Sequence, residues 1–296
     1  MIKSSKAPGH LTAKTEHTSS LEECIFVCLQ ASLDKCQAVN YKKSENLCRF
    51  LSTTIGQNYE PFLEPNDNWD FLAPVISGVP RSCSDALERS GRRQSGKAET
   101  TLIDPDGEEG PVAPFFVHCD NTTGTVWTKL TATPYDSFFH GNNAAGGIRK
   151  SISYLYANMD QIVSLISMST RCQQKLKYTC FKASFMSDME ASSLKTWWVS
   201  RDGEKMMYWA GGPSDGRGCA CGVTQTCASN SNIPRSLCNC NMNDGVWRTD
   251  EGYITDKTKL PVSELRVGDV GDHGEYGFGT VWPLECTGLV SLVELG

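Results

Sequence analysis

The sequence predicts an α+β protein: a small disulfide-stapled helix-on-hairpin module followed by a larger domain of antiparallel sheets joined by long loops. Three observations carry that expectation. Fourteen cysteines lie among 296 residues, an even count at a density that an oxidising compartment permits and a reducing cytosol disfavours. A short helical period followed by two alternating stretches marks the first module. A connection rich in Pro and Gly then leads to a longer region in which strand-like segments alternate with Gly-rich loops. At this length the chain exceeds the roughly 100 to 200 residues of a typical domain, so two domains are expected.

Composition narrows the setting. Hydrophobic residues make up 39% and charged residues 21%, enough apolar material for a core and too little charge for a disordered chain. The net charge of −6 gives no electrostatic reason to bind nucleic acid or an anionic membrane. No apolar run approaches the roughly 18 to 20 residues that span a bilayer; Ile162 to Met168 is the best stretch and serines interrupt it. The start, Met1 to Pro8, has no apolar h-region, so a secreted chain is expected to be processed or incomplete there.

Leu21, Cys24, Ile25, Cys28 and Leu29 follow the i, i+3, i+4, i+7, i+8 spacing of one helical face, which turns both cysteines toward a core. Ser20 and Glu23 form a capping-box pattern at the helix start. Cys36 to Tyr41 and Leu47 to Leu51 then alternate on either side of the polar turn Lys42 to Asn46, predicting a hairpin. No histidine or second cysteine pair follows at zinc-finger spacing, which sets aside a metal half-site at Cys24 and Cys28. This stretch resembles the PAN/apple module over residues 10 to 75. The resemblance implies Cys24 bridged to Cys48 and Cys28 bridged to Cys36; the outer pair of true apple domains is missing, so the shorter PAN type is the better match.

Phe71 to Pro80 carries two prolines and a glycine, the composition of an extended connection, and the linker is set at residues 76–81. The modules are expected to separate there, with no bridge crossing. Ser82 to Gly91 has the polar start and terminal glycine of a short helix. Thr101 to Gly107 and Pro114 to Asp120 read as strands around an Asp-Pro-Asp-Gly turn, and Val126 to Leu130 as a further strand containing Trp127.

That order resembles the opening of a fibrinogen-like domain over 82–288. The later segments are more discriminating. Arg171-Cys172, Tyr178-Thr-Cys180, Trp197 to Gly203, Met207-Tyr208-Trp209, Cys219-Ala-Cys221-Gly222, Cys238-Asn-Cys240, Leu260-Pro-Val262 and Val267-Gly-Asp269 are similar to the fibrinogen-like region of contactin-associated proteins. The combination of modules resembles, at the level of architecture, cnidarian extracellular proteins and coral skeletal organic matrix proteins. Both modules act by binding, so the resemblance implies a non-enzymatic protein.

Residues i and i+2 of an extended strand face one side, so two antiparallel Cys-x-Cys segments allow Cys219 to bond Cys240 and Cys221 to bond Cys238, leaving Cys227 for Cys286. Six cysteines admit 15 connectivities, and the sequence excludes none of the others. Cys83, Cys119, Cys172 and Cys180 are expected to be bridged among themselves. A thiolate metal cluster would suit a reducing compartment and leave the other cysteines unexplained.

Asp269, Asp272 and Glu275 lie in a Gly-rich loop, Val267 to Glu275, and oxygen-rich flexible loops suit calcium. Fibrinogen-like domains bind calcium in a late loop of this kind, although the Asp-x-Asp-Asn spacing of that type is absent. Trp197, Trp198, Tyr208 and Trp209 form either a sugar platform or, as tryptophans in such runs mostly do, part of the packing. Asn121-Thr-Thr123 is an N-glycosylation acceptor. The loops His140 to Gly147 and Gly211 to Gly218 are expected to carry binding surface. No Gly-x-Ser-x-Gly elbow, His-Glu-x-x-His or phosphate-binding glycine loop occurs, and the five histidines fall in unrelated contexts.

The expectation is a secreted extracellular recognition or matrix protein, without enzymatic activity, that binds protein or glycan partners, with calcium as the one candidate cofactor. Two rivals stand beside it: a calcium-dependent lectin, and a structural component of a mineralised or collagenous matrix.

Overall fold

A computed structural model describes residues 5–6, 12–30, 38–52, 64–65, 71–74, 79–90, 99–107, 110–185, 194–214, 216–228 and 237–290. In the first module, β1 (Ser5–Lys6), β2 (Thr12–His17), α1 (Leu21–Gln30), β3 (Ala38–Lys42), β4 (Leu47–Ser52), β5 (Glu64–Pro65) and β6 (Phe71–Pro74) follow in order. The predicted hairpin is β3 and β4, but it sits inside a four-stranded antiparallel sheet ordered β2-β4-β3-β6. Ser20 Oγ accepts the Glu23 amide at 3.1 Å, and the Glu23 carboxylate reaches back to Ser19, so the helix start is capped from two serines. Cys24, Cys28, Val39, Tyr41, Cys48 and Phe50 form the core of this module. Cys24 is bonded to Cys48; Cys28 is disulfide-bonded, and Cys36 lies outside the described residues.

Both described ends of the connection are engaged with the modules they join. Phe71–Pro74 is a strand, and at the far end Val79 is buried while the Pro80 carbonyl accepts the Asp104 amide at 2.9 Å. Residues 75–78 lie outside the described residues.

The second module contains α2 (Cys83–Ser90), β7 (Glu99–Ile103), β8 (Phe115–Asp120), β9 (Trp127–Leu130), β10 (Ala132–Thr133), β11 (Asp136–Phe139), β12 (Ile148–Ser151), β13 (Ser153–Tyr154), α3 (Met159–Met168), β14 (Arg171–Phe181), β15 (Trp197–Val199), α4 (Ala220–Thr224), β16 (Arg248–Ile254), β17 (Glu264–Val267) and β18 (Tyr276–Thr287). Its main sheet runs β16-β14-β18-β9-β8-β7, with β11 alongside the first half of β18. A three-stranded sheet, β12-β17-β15, packs with it. Among the described residues, no helix is long and apolar enough to cross a membrane.

One face of the main sheet is core. Along β14 the inward positions Cys172, Gln174, Leu176, Tyr178 and Cys180 are all buried, while the intervening residues are not. Gln174 is fully buried and hydrogen-bonds the Tyr154 hydroxyl, the Val262 amide and the Trp282 carbonyl at 2.8–3.0 Å. Its amide thereby ties four segments at the point where the β14–β18 register shifts.

The bridges differ from those drawn for extended segments. Cys172 bonds Cys286, its register partner across β14 and β18, with Cα atoms 4.1 Å apart. It does not reach Cys180, eight residues along the same strand and so roughly 26 Å away. Cys83 bonds Cys119. The two Cys-x-Cys segments are not strands: Cys219 precedes α4, and Cys238 precedes a 3-10 turn at Asn239–Met242. On a helical turn, residues i and i+2 point to opposite sides. The predicted bonds Cys219 to Cys240, Cys221 to Cys238 and Cys227 to Cys286 therefore do not form. Instead Cys219 bonds Cys238, Cys221 turns back six residues to Cys227, and Cys240 bonds Cys180 on β14.

Non-reducing proteolysis and mass spectrometry should recover linked peptides containing Cys180 with Cys240 and Cys172 with Cys286. Recovery of Cys219 linked to Cys240 would contradict this connectivity.

Candidate recognition surface

The outward face of the main sheet divides into two zones. At the Tyr276 end of β18, six rings touch in sequence, four on strands β11, β18 and β14 and two beside them, His140 after β11 and Trp247 before β16. Phe138 and Phe278 are cross-strand partners with ring centroids 4.8 Å apart. His140 lies 5.2 Å from Tyr276, and Phe181, opposite Tyr276 on β14, lies 5.1 Å from Trp247. Trp247 closes the group at 5.8 Å from Phe278. Phe138 is 57%, Trp247 51% and Phe278 42% exposed, so the group presents a contiguous apolar surface to solvent.

The sequence builds this face by alternation. In Tyr276-Gly-Phe-Gly-Thr280 the outward positions carry rings and the inward ones are glycine. A Cβ on Gly277 would lie 2.2 Å from the Tyr178 hydroxyl, and one on Gly279 would lie 3.0 Å from Phe139 and Leu265. The glycines thus let the core close beneath the rings.

Polar groups around the rings are paired with one another. Thr179 hydrogen-bonds Thr249 at 3.1 Å, Thr280 donates to Asp136 at 2.6 Å, and Arg248 pairs with Asp244. His140 Nδ1 lies 3.0 Å from the Glu275 carbonyl, to which it donates as the Nδ1–H tautomer. Farther along the sheet the face is cationic and equally self-satisfied. Lys175 and Lys177 lie over Trp282 at 5.0 and 6.0 Å, and Arg171 lies over Trp127 at 5.0 Å. Lys129 bridges Asp120 and Glu285 at 2.7 and 2.8 Å, and its hydrogen bond holds the Asp120 carboxyl down at about 2.

The acidic loop is not a converged calcium set. Asp269 adopts φ 57 and turns inward, its Oδ2 accepting the Ser184 amide at 2.8 Å and hydroxyl at 2.7 Å. Asp272 accepts from the Asn143 side chain at 2.6 Å, and the Glu275 carboxylate accepts the Asp272 amide at 2.8 Å. The loop is laced to 140–147 through Gly141 N to Val270 O and Val270 N to Asn142 O. Asp272 therefore ties this loop to 140–147 while Asp269 ties it to Ser184, and the three carboxylates do not converge on one point. Among the described residues, the one group of three metal-ligating side chains with ligand atoms within 4.8 Å of one another is Cys219, Cys238 and Asp250, and that cysteine pair is a disulfide.

The Trp-rich segment packs. Trp198, Tyr208 and Trp209 are buried, with Trp198 Nε1 donating to the Tyr208 carbonyl at 2.8 Å and Trp209 Nε1 to the Asp250 carbonyl at 3.2 Å. Trp197 lies between Gly146 and Lys205, whose ammonium is 4.0 Å from the ring centroid. In the 211–218 loop, Gly212 has no room for a Cβ against the Gly218 carbonyl, so its described residues also serve packing. Asn121 lies in the turn after β8, where Thr122 is held by Asp120 and Thr123 is exposed.

Asp250 is the buried carboxylate behind this region. Its two oxygens accept the amides of Asn239 and Cys240 at 2.9 and 2.8 Å, capping the turn that carries the Cys180–Cys240 bridge. Burial pushes its pKa up to about 6, against the downward pull of those amides.

A family model for the PAN domain matches residues 2–74. The first module is a PAN domain. The match begins earlier than residue 10 and takes in β1, which pairs with β5 inside the same module. The rest of the chain is homologous to contactin-associated protein 1 and neurexin-4: it is 30% identical over 207 residues to mouse contactin-associated protein 1, covering 66% of this chain and 14% of that protein. It is 36% identical over 193 residues to Drosophila melanogaster neurexin-4, covering 63% of this chain and 15% of that protein, and 29% identical over 198 residues to human contactin-associated protein 1. The chain thus spans about a seventh of the length of these relatives.

Two outcomes follow from the carboxylates. Asp250 has a folded-state pKa above its unfolded value of about 3.9, so its contribution to stability is present below about pH 4 and is lost as pH rises through about 6. The difference in unfolding free energy between wild type and Asp250→Asn should change by about 3 kcal/mol from pH 4 to pH 7; a difference that stays constant with pH would refute the shift. Asp269→Ala should destabilise the protein by about 1–3 kcal/mol through the Ser184 contacts it removes, equally with calcium and with chelator. A loss confined to calcium-containing buffer would restore the metal.

Proposed function

We propose that this is a secreted extracellular recognition protein of the adhesion type, working by binding rather than catalysis, and that the second module takes its partner on the aromatic end of the open sheet face. The observation that carries this reading is the contiguous group Phe138, His140, Phe181, Trp247, Phe278 and Tyr276, displayed across three strands and the residues flanking β11 and β16, with its most exposed rings half open to water. Aromatic anchors supply large contact area at small loss of side-chain entropy and dominate the energetics of interfaces.

The surroundings favour a protein partner over a sugar. A glycan site needs unengaged donors and acceptors around its rings, whereas here the neighbouring hydroxyls and charges already satisfy each other. Covering such a surface with apolar side chains releases water from the rings and strands few polar groups. Asn121 is the proposed glycan attachment point. It sits beyond the other end of β18, roughly 30 Å or more from the rings along the strand, where a glycan leaves them open.

The test compares binding of the purified protein to cell surfaces of its own tissue. Phe138→Ser combined with Trp247→Ser should weaken binding at least about tenfold with no fall in melting temperature, and protease treatment of the cells should abolish binding while glycosidase treatment leaves it. Unchanged binding by the double variant would refute the site. Loss on glycosidase treatment alone would replace the protein partner with a glycan.

A further inference from the structure

The two modules have separate cores, yet one side chain joins them. On α1 the core face is Leu21, Cys24, Ile25 and Cys28; Phe26 lies two residues from Cys24, about 200° around the helix, and so points away from its own core. Its ring lies 4.9 Å from Tyr156, edge to face at 76°, and 6.1 Å from Phe116. Both of those residues belong to the second module. Phe116 is an outward position of β8, and Tyr156 is held at φ 65 in the tight turn after β13, closed by Ala157 N to Tyr154 O. A non-glycine residue held at positive φ is maintained by its surroundings.

The tether is correspondingly short. Pro74 ends the last strand of the PAN sheet and Val79 is already buried, so five peptide steps, at most about 18 Å when fully extended, join the two bodies.

We propose that the PAN domain docks on the second module through Phe26, seated against Tyr156 and Phe116, so that the two modules tumble as one body. The kind of partner that this end of the open sheet face fits is therefore the outward face of the chain's own first helix. Docking there leaves the aromatic end, which begins on β18 beyond β9, uncovered. It also fixes the direction in which that surface faces relative to the N-terminal module.

The test is backbone ¹⁵N relaxation on the intact 296-residue protein. In the wild type, amides of both modules should report a single rotational correlation time. Phe26→Ala and, separately, Tyr156→Asn, which keeps a residue tolerant of positive φ, should each give PAN amides a shorter correlation time than the second module. If Phe26→Ala unfolds the first module, Tyr156→Asn decides the matter, since Tyr156 lies outside that core. Two correlation times in the wild type, or a single shared time in Tyr156→Asn, would overturn the proposal. Neither result bears on the aromatic site, whose variants leave these three residues intact.

Discussion

The pairing of β14 with β18 sets the rest of the second module. The two strands run antiparallel from Arg171 opposite Thr287 to Phe181 opposite Tyr276. Because side chains alternate, this ladder decides at once what is buried and what is displayed. Inward it places the Cys172–Cys286 bridge, Leu176 beside Val281, and Tyr178 over two glycines. Outward it places Phe181, Tyr276 and Phe278. A slip of one residue would drive the outward rings into the core and expose Tyr178, so the register that packs the interior also builds the outward aromatic face. The Cys172–Cys286 bridge closes a loop of 114 residues, which on the chain-entropy view disfavours the unfolded state by on the order of 4–5 kcal/mol.

The cysteine-rich segment extends that constraint to the edge strand. Cys240 reaches β14 through Cys180, and Asp250 on β16 grips the same turn through the Asn239 and Cys240 amides. Among the described residues, the segments 216–228 and 237–245 therefore lie against the sheet without strands of their own. Burying a carboxylate there costs free energy that two amide bonds only partly offset, which is why its proton affinity rises.

Local patterns made the frame legible. The 3.6-residue period of Leu21 to Leu29, the alternation in β3 and β4, and the Asp-Pro-Asp-Gly turn between β7 and β8 are each encoded within a dozen residues. Strand β2, Thr-Ala-Lys-Thr-Glu-His, gave no alternating apolar signal because it is an edge strand whose partner supplies the register. The Cys-x-Cys connectivity was undecidable from spacing, since two-residue separation means the same side on a strand and opposite sides on a turn. The aromatic face is not legible in the sequence because Phe138, Phe181, Trp247 and Tyr276 are assembled by strand order, not by sequence neighbourhood. The signal that was present lay in Tyr276-Gly-Phe-Gly, where glycine at every second position of a long strand indicates rings on one face and close packing on the other. Tryptophan density drew attention to 197–209, where the rings fill the core, and acidic density to 269–275, where the carboxylates tie loops together.

Native-state hydrogen exchange measures the central constraint directly. If the β14–β18 ladder holds the module together, amides of residues 176–180 and 277–281 should exchange slowest of all and only through global unfolding, with the same dependence on denaturant. Exchange of those amides by local opening, faster than the amides of β7 and β8, would contradict it.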